Sequence, residues 1–319
     1  MPAPPTIGIT MGDPSGIGPE VIAKALKSQR LENTCRAIVI GSSAVFEQVE
    51  GGPLPVLDVV RVDRRHIRPG RISVWSGQAA VRALQRGLQM ALDGRLDALV
   101  TGPVSKQGLR LAGLRDPGQT EFLARRTMTR RFGMMLATGS LRVVLTTRHL
   151  PLSRVSPAVT AGRVKTAISL AHSSMIELFG VRRPRIGVCA LNPHAGDEGL
   201  FGRQESAIIG PAIGELLDRG MCIRGPLPAD SLFSPILRRQ FDVIVAMYHD
   251  QGLIPVKMIG FGRAVNITLG LPIIRTSPDH GTATDIAGRG KANPESMIRA
   301  IRMAARLVKA RGKRQKLGS

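Results

Sequence analysis

The sequence predicts an α/β fold, because short β-branched runs alternate with longer segments whose apolar residues recur every three or four positions. The chain has 319 residues, 43% of them hydrophobic. That suffices for one large core or for two lobes sharing a central cleft, and two lobes is the reading taken forward. Three of the apolar runs are also followed closely by a histidine, which points to strand ends as the functional edge.

Thr6–Thr10 reads as the first strand, and MGDPSGIGPE after it as a turn opening a helix over Gly18–Ser28. Gly12, Gly16 and Gly18 permit close backbone approach there, and Pro19 suits a first helical turn. The turn is therefore either an anion cradle or a purely structural connection, and its glycine spacing is neither the dinucleotide fingerprint nor a P-loop. Ala37–Ile40 is the second strand, and 51–70, rich in proline and basic residues, is an irregular excursion. Val81, Leu84, Leu88 and Leu92 share one face of a helix over Ser76–Leu92. Strands follow at Asp97–Thr101, Arg142–Thr147, Arg185–Ala190 and Asp242–Ala246, for a mainly parallel sheet flanked by helices. No acid follows Glu295, whereas Arg302, Arg306, Lys309, Arg311, Lys313, Arg314 and Lys316 do; this reads as a solvated helix face ending in a frayed basic tail.

The formal charge of +22 raises the question of nucleic acid, anionic lipid or a phosphorylated substrate as partner. Basic residues are spread along the chain, and aromatics are only 3%, with one Trp and one Tyr, so a nucleic-acid partner is disfavoured. Cys35, Cys189 and Cys222 form no CxxC pair and no disulfide framework, which suggests a reducing compartment. MPAPPTIGIT lacks signal-peptide character and no run approaches membrane-spanning length, so cytoplasmic residence without a membrane partner is expected.

The histidines are His149 in VVLTTRHLPL, His194 in IGVCALNPHAGDEG and His249 in VIVAMYHDQG. Neutral imidazoles at strand ends suit zinc and similar cations, and three ligands with an open position describe a catalytic site. Their spacing alone is no local metal signature, and separate hydrogen-bonded histidines are the alternative.

TIGITMGDPSGIGPEVIAKAL, LVTGPVSKQGL, GQTEFLA, LNPHAGDEGLFG, GPLPADSLF and the block from AMYHDQGLIPVK to GRGKANP together resemble the 4-hydroxythreonine-4-phosphate dehydrogenase family of pyridoxal phosphate biosynthesis. That family includes paralogues acting on phospho-threonate and phospho-erythronate. The resemblance implies oxidation of 4-phosphooxy-L-threonine at C3 to a β-keto acid, which decarboxylates to 3-amino-2-oxopropyl phosphate. The same chemistry on 4-phospho-threonate or 4-phospho-erythronate is the alternative. It also implies a homodimer with shared active sites, and a divalent cation (zinc, cobalt, manganese or magnesium) held by His149, His194 and His249, the last supplied across the dimer interface. Arg148 stands where the family has Thr, and alternation along an extended segment turns it away from His149. Lys257, Asn266 and Arg275 match substrate contacts, as do Gln119 and Thr120, and Asp230 and Lys257 are the candidates for proton transfer. Gly118-Gln119-Thr120-Glu121 departs from the family's Gly-His-Thr-Glu: the amide keeps hydrogen bonding but cannot become cationic.

HGTATDIAGRGKANP, His280 to Pro294, resembles the adenosine-binding loop of isocitrate and 3-isopropylmalate dehydrogenases, whose histidine and asparagine lie thirteen positions apart as His280 and Asn293 do. Gly281 would allow backbone approach to adenine, and Asp285 suits ribose hydroxyls, an NAD-like choice with NADP as the alternative. The bland alternative is a glycine-rich loop in which His280 is satisfied by its own backbone. This second resemblance implies two lobes around a cleft with non-Rossmann dinucleotide binding. The lobes are expected at 1–128 with 272–319, and at 129–271, the latter carrying the metal histidines and dimer contacts.

Overall fold

The computed structural model describes residues 3–49, 54–61 and 66–317. Parts of the 51–70 excursion, and the side chains of Arg314 and Lys316, lie outside the described residues. The strands are β1 Thr6–Thr10, β2 Arg36–Gly41, β3 Val56–Asp58, β4 Ala98–Thr101, β5 Gly133–Thr138, β6 Leu141–Leu145, β7 Arg185–Cys189, β8 Cys222–Leu227, β9 Val243–Ala246, β10 Val265–Leu269 and β11 Arg275–Pro278. The chain divides into two compact units, Met1–Arg130 with Leu271–Lys309, and Arg131–Gly270 with Ala310–Ser319. Among the described residues no helix is long and apolar enough to cross a membrane.

The first unit holds five parallel strands in the order β3-β2-β1-β4-β11. Ile7 pairs with Ala37 on one side and Ala98 on the other, so β1 is the centre and reads as an unbroken buried run. The helix Val74–Leu92 starts two residues earlier than its apolar periodicity indicated, because Ser73 and Ser76 form a reciprocal cap. Its buried stripe is Ala80, Ala83, Leu84, Gly87 and Leu88, while Leu92 is 45% exposed at the last turn. A Cβ on Gly87 would stand 2.8 Å from Leu99, so glycine there lets helix and sheet meet closely. The basic C-terminal segment, expected to run from a helix into a frayed tail, is helical over Glu295–Leu317. Met297, Ile301, Ala304, Ala305 and Leu307 bury one face of it, which is what stabilises a helix so charged on the other.

The second unit holds β10-β5-β6-β9-β7-β8. Its sheet is mixed rather than mainly parallel: β10/β5 and β5/β6 are antiparallel, and β6/β9, β9/β7 and β7/β8 parallel. A two-residue connection, Gly139-Ser140, reverses the chain between β5 and β6, with Gly139 at φ 56°. Leu136, Val143, Leu145, Ile244, Ala246, Cys189 and Val256 share one core cluster here. The arrangement has one functional consequence. β6, β9 and β7 are adjacent and parallel, so their carboxyl ends open on the same edge of this sheet, and the three histidine segments follow from those ends.

Candidate active site

At that edge the hydroxyl and N–H of Thr147 both donate to the Met247 carbonyl, tying the segment after β6 to the segment after β9. His149 follows on backbone of positive φ, 46°, and His249 opens the helix His249–Gly260. Their rings stand 5.5 Å apart between centroids, tilted by 42°. His249 Nδ1 lies 2.6 Å from Asp250 Oδ1; with its proton on Nδ1, Nε2 carries the lone pair, the form that binds a cation. The Arg148 guanidinium lies over the Phe132 ring at 4.7 Å. The donor chemistry of the pair, two imidazoles with a carboxylate behind one, fits a borderline divalent cation.

His194 lies in the segment Pro193–Gly199 after β7, where five successive residues from His194 to Glu198 have positive φ. Its ring packs at 6.1 Å from Phe201. Among the described residues no three His, Cys, Asp or Glu side chains gather to hold a metal ion, so one chain does not bring His194 to the other two. Behind the loop, Glu205 Oε1 accepts from the N–H groups of Leu191 (2.7 Å) and Asn192 (2.8 Å), and Oε2 from the Asn192 amide (2.9 Å). Burial opposes ionisation of Glu205, but these bonds outweigh it and hold its carboxyl below the usual range. Asp230, in the short helix Ala229–Leu232, and Lys257 are exposed; Asn266 on β10 is half-buried, its Oδ1 without a hydrogen-bond partner. Three separate elements thus carry them.

In the first unit Arg275 opens β11 at 3% exposure. Its Nε and Nη2 donate to Thr101 Oγ1 at 3.1 and 2.6 Å, and its Nη1 to Thr120 Oγ1 at 3.4 Å. Burial brings the guanidinium pKa down to about 10, against the opposite pull of Glu121. Gln119, first residue of the helix Gln119–Arg126, donates from Nε2 to the Gly102 carbonyl at 3.0 Å, while its Oε1 is buried without a hydrogen-bond partner. Gly102 cannot carry a Cβ, which would stand 2.7 Å from the Thr10 carbonyl oxygen. A buried cation and a buried acceptor one helical residue from Thr120 make a cradle for a ligand bearing both an anion and a donor.

The loop His280–Pro294 is gripped by the first turn and its helix. Ile17 N–H donates to the Thr282 carbonyl, Glu20 Oε1 accepts from Ala292 N–H at 2.8 Å, and Lys24 Nζ donates to the carbonyls of Gly290 and Ala292. Gly16 admits Thr282, which a Cβ would meet at 2.8 Å. With Ser15 N–H on Asp13 Oδ1 and Gly16 N–H on the Asp13 carbonyl, these two turn amides are already used, which favours the structural reading of MGDPSGIGPE. His280 Nδ1 lies 3.0 Å from the Gly281 carbonyl, the backbone contact foreseen as the bland alternative, yet Nε2 is buried without a hydrogen-bond partner, so an acceptor remains for an adenine amino group. Asn293 Oδ1 accepts from Glu295 N–H, and Gly281 and Asp285 are exposed. Periodicity and spacing reveal none of Thr101, Glu205 and Asp250, whose partners are set by the fold or lie next to a histidine already noted.

A buried arginine held by threonine hydroxyls and imidazoles beyond strand ends belong to a chain that proves similar to known dehydrogenases. It is 43% identical over 94% of its length to 4-hydroxythreonine-4-phosphate dehydrogenase of Desulforapulum autotrophicum, covering 95% of that protein. With D-threonate 4-phosphate dehydrogenase of Cupriavidus necator the identity is 42%, covering 96% of this chain and 98% of that one. The crystal structure of 4-hydroxythreonine-4-phosphate dehydrogenase from Klebsiella pneumoniae superposes with a TM-score of 0.87 at 38% identity, covering 95% of this chain and 99% of that one. The protein is an oxidoreductase of the dehydrogenase class. The family model for pyridoxal phosphate biosynthetic protein PdxA matches residues 15–304, and the chain belongs to that family.

Proposed function

We propose that the protein oxidises 4-phosphooxy-L-threonine at C3 with NAD as hydride acceptor, the resulting β-keto acid losing carbon dioxide to give 3-amino-2-oxopropyl phosphate. The observation that carries this reading is the pairing of buried Arg275 with the buried, donor-seeking Gln119 Oε1. Arg275 and Thr120 bind a substrate oxyanion, and the Gln119 carbonyl accepts from the substrate ammonium. Lys257 and Asn266 complete the substrate contacts. Asp230 and Lys257 move the protons: one leaves the C3 hydroxyl as hydride departs, and one is returned to carbon after carbon dioxide is lost. His149, His194 and His249 would hold a divalent cation (zinc, cobalt, manganese or magnesium), which supplies Lewis-acid stabilisation of negative oxygen. His280, Gly281, Asp285 and Asn293 bind the adenosine half of NAD, with NADP as the alternative.

The active unit is a homodimer with shared active sites, although His249 stands beside His149 within one chain and so is not separated from it by the subunit boundary. Support comes from the helix that His249 opens, where Ile254 is 57% and Met258 82% exposed, with Phe261 just beyond it 82% exposed, a stripe suited to burial against another chain.

A hydroxyl would also serve Gln119 Oε1, which keeps 4-phospho-threonate and 4-phospho-erythronate as a second reading. Steady-state kinetics with NAD and NADP on the three substrates decide it. We expect kcat/KM on 4-phosphooxy-L-threonine to exceed the others by about tenfold or more, the scale of one hydrogen bond to a charged group. A reversed ratio assigns the second reading, and turnover of none overturns both.

A further inference from the structure

We infer that Glu205 is the positioning residue for His194: its buried carboxylate holds the strained loop that presents this imidazole to a cation. The inference rests on the metal reading of the three histidines.

His194, Ala195, Asp197 and Glu198, together with Gly196, all lie in the left-handed region, with φ between 41° and 86°. L-residues avoid that region, where Cβ crowds the following carbonyl, and visit it as single residues rather than in succession. Such a segment persists only where its surroundings over-determine it, and such segments cluster at functional sites. The protein supplies the determination from one side. Glu205 is 6% exposed and accepts from both N–H groups of Leu191 and Asn192, fixing the chain two residues before His194. Its second oxygen accepts from the Asn192 amide, which also donates to Gln204 Oε1 at 2.8 Å. The loop apex rests on the same group, since a Cβ on Gly196 would stand 2.9 Å from Glu205 Oε2. Within the loop, Leu200 N–H closes onto the Asp197 carbonyl and Phe201 N–H onto that of Gly196.

Glu205 also begins a π-helical turn, Glu205–Ile209, that leads into the helix Gly210–Leu217. Single π turns cost hydrogen-bond geometry and recur where a side chain must be set at a functional site. Here the carboxylate reaches back to the segment after β7 instead of solvent. A simple structural anchor for β7 would need neither the left-handed run nor the π turn.

The test is Zn²⁺ affinity of the purified full-length protein, measured by competition with a chelator, in the parent and in the Glu205→Ala, Glu205→Gln and His194→Ala variants. Outer groups that orient metal ligands typically change affinity about 10- to 100-fold when removed. We expect Glu205→Ala to fall in that range, His194→Ala to fall at least as far, and Glu205→Gln, which retains an acceptor for the two N–H groups, to recover part of the loss. Zn²⁺ affinity unchanged in Glu205→Ala while His194→Ala is weakened overturns the positioning role and leaves the metal reading intact. Affinity unchanged in His194→Ala overturns the metal reading itself, and the positioning role with it. If Glu205→Ala does not fold, Glu205→Gln decides alone: parent affinity overturns the inference, and a weakened site beside an unchanged circular dichroism spectrum supports it.

Discussion

Arg275 is buried, anchored by two threonine hydroxyls and seated on a strand, whereas His149 and His194 are exposed and stand on left-handed backbone beyond strand ends. The arginine and its threonine partners lie within one unit, and burial still brings the guanidinium down to about 10, so on the proposed function a substrate anion would complete an already oriented group. The histidine edge is incomplete within one chain, with two imidazoles 5.5 Å apart and the third packed on Phe201. On the proposed function, an oxyanion site built within one unit and a metal site finished by an added component would place different demands on sequence. The first should tolerate no change of charge, and the second should recover after dissociation.

The largest expected effect follows from the first demand. Arg275→Met should lower kcat/KM about a thousandfold, since two charge-assisted hydrogen bonds to substrate at about 1.5–3 kcal/mol each disappear. Metal content should be unchanged. A loss under tenfold in steady-state kinetics would remove Arg275 from substrate binding and dissolve the contrast.

Chelation comes next. Metal-free protein should lose turnover by about a hundredfold or more while its circular dichroism and Tm barely move, and added Zn²⁺ should restore it, because the histidines serve the reaction rather than close a structural cage. His149→Ala should mimic the treated enzyme without restoration. Undiminished turnover in protein whose metal content is verified as negligible would show that the edge is not a metal site.

The smallest effect sharpens the comparison by adding an ordinary ion pair. Hydrogen bonding from Arg30, joined by Arg299, holds the Glu295 carboxyl down to about 2 despite the opposing effect of burial. A folded-state pKa below the ordinary 4.5 contributes stability that is present above 4.5 and is lost as pH falls towards 2. Glu295→Gln should therefore cost about 1 kcal/mol at pH 7, as partly exposed pairs do. Thermal melts of parent and variant should converge between those two pH values, and a constant gap would contradict the assignment.

How much of this was legible in the sequence depended on what each segment buries. β1, β2, β4, β6, β7 and β9 announce themselves as β-branched runs because both faces of a parallel strand meet apolar neighbours. β11 does not, being Arg-Thr-Ser-Pro, four buried polar or turn-forming residues. Its arginine donates to the Thr101 and Thr120 hydroxyls and Thr276 to the Ala300 carbonyl, so tertiary hydrogen bonds override the local signal. β8, edge strand of its sheet and interrupted by Gly225-Pro226, was likewise unread. In the site, the histidines were visible as strand-end residues and His280 with Asn293 by their interval. Thr101 was not, because the arginine it serves lies 174 positions away and only the β4–β11 pairing brings them together.

The helix His249–Gly260, with Pro255 inside it, spans about 18 Å by its helical rise. One end carries an imidazole and the other Met258, adjoining Phe261, both in solvent in the single chain. If a second copy shelters those residues, the helix that carries the imidazole would tie assembly to activity. Under the dimer reading, specific activity would then depend on enzyme concentration, and dilution alone would idle the catalyst while leaving every subunit folded.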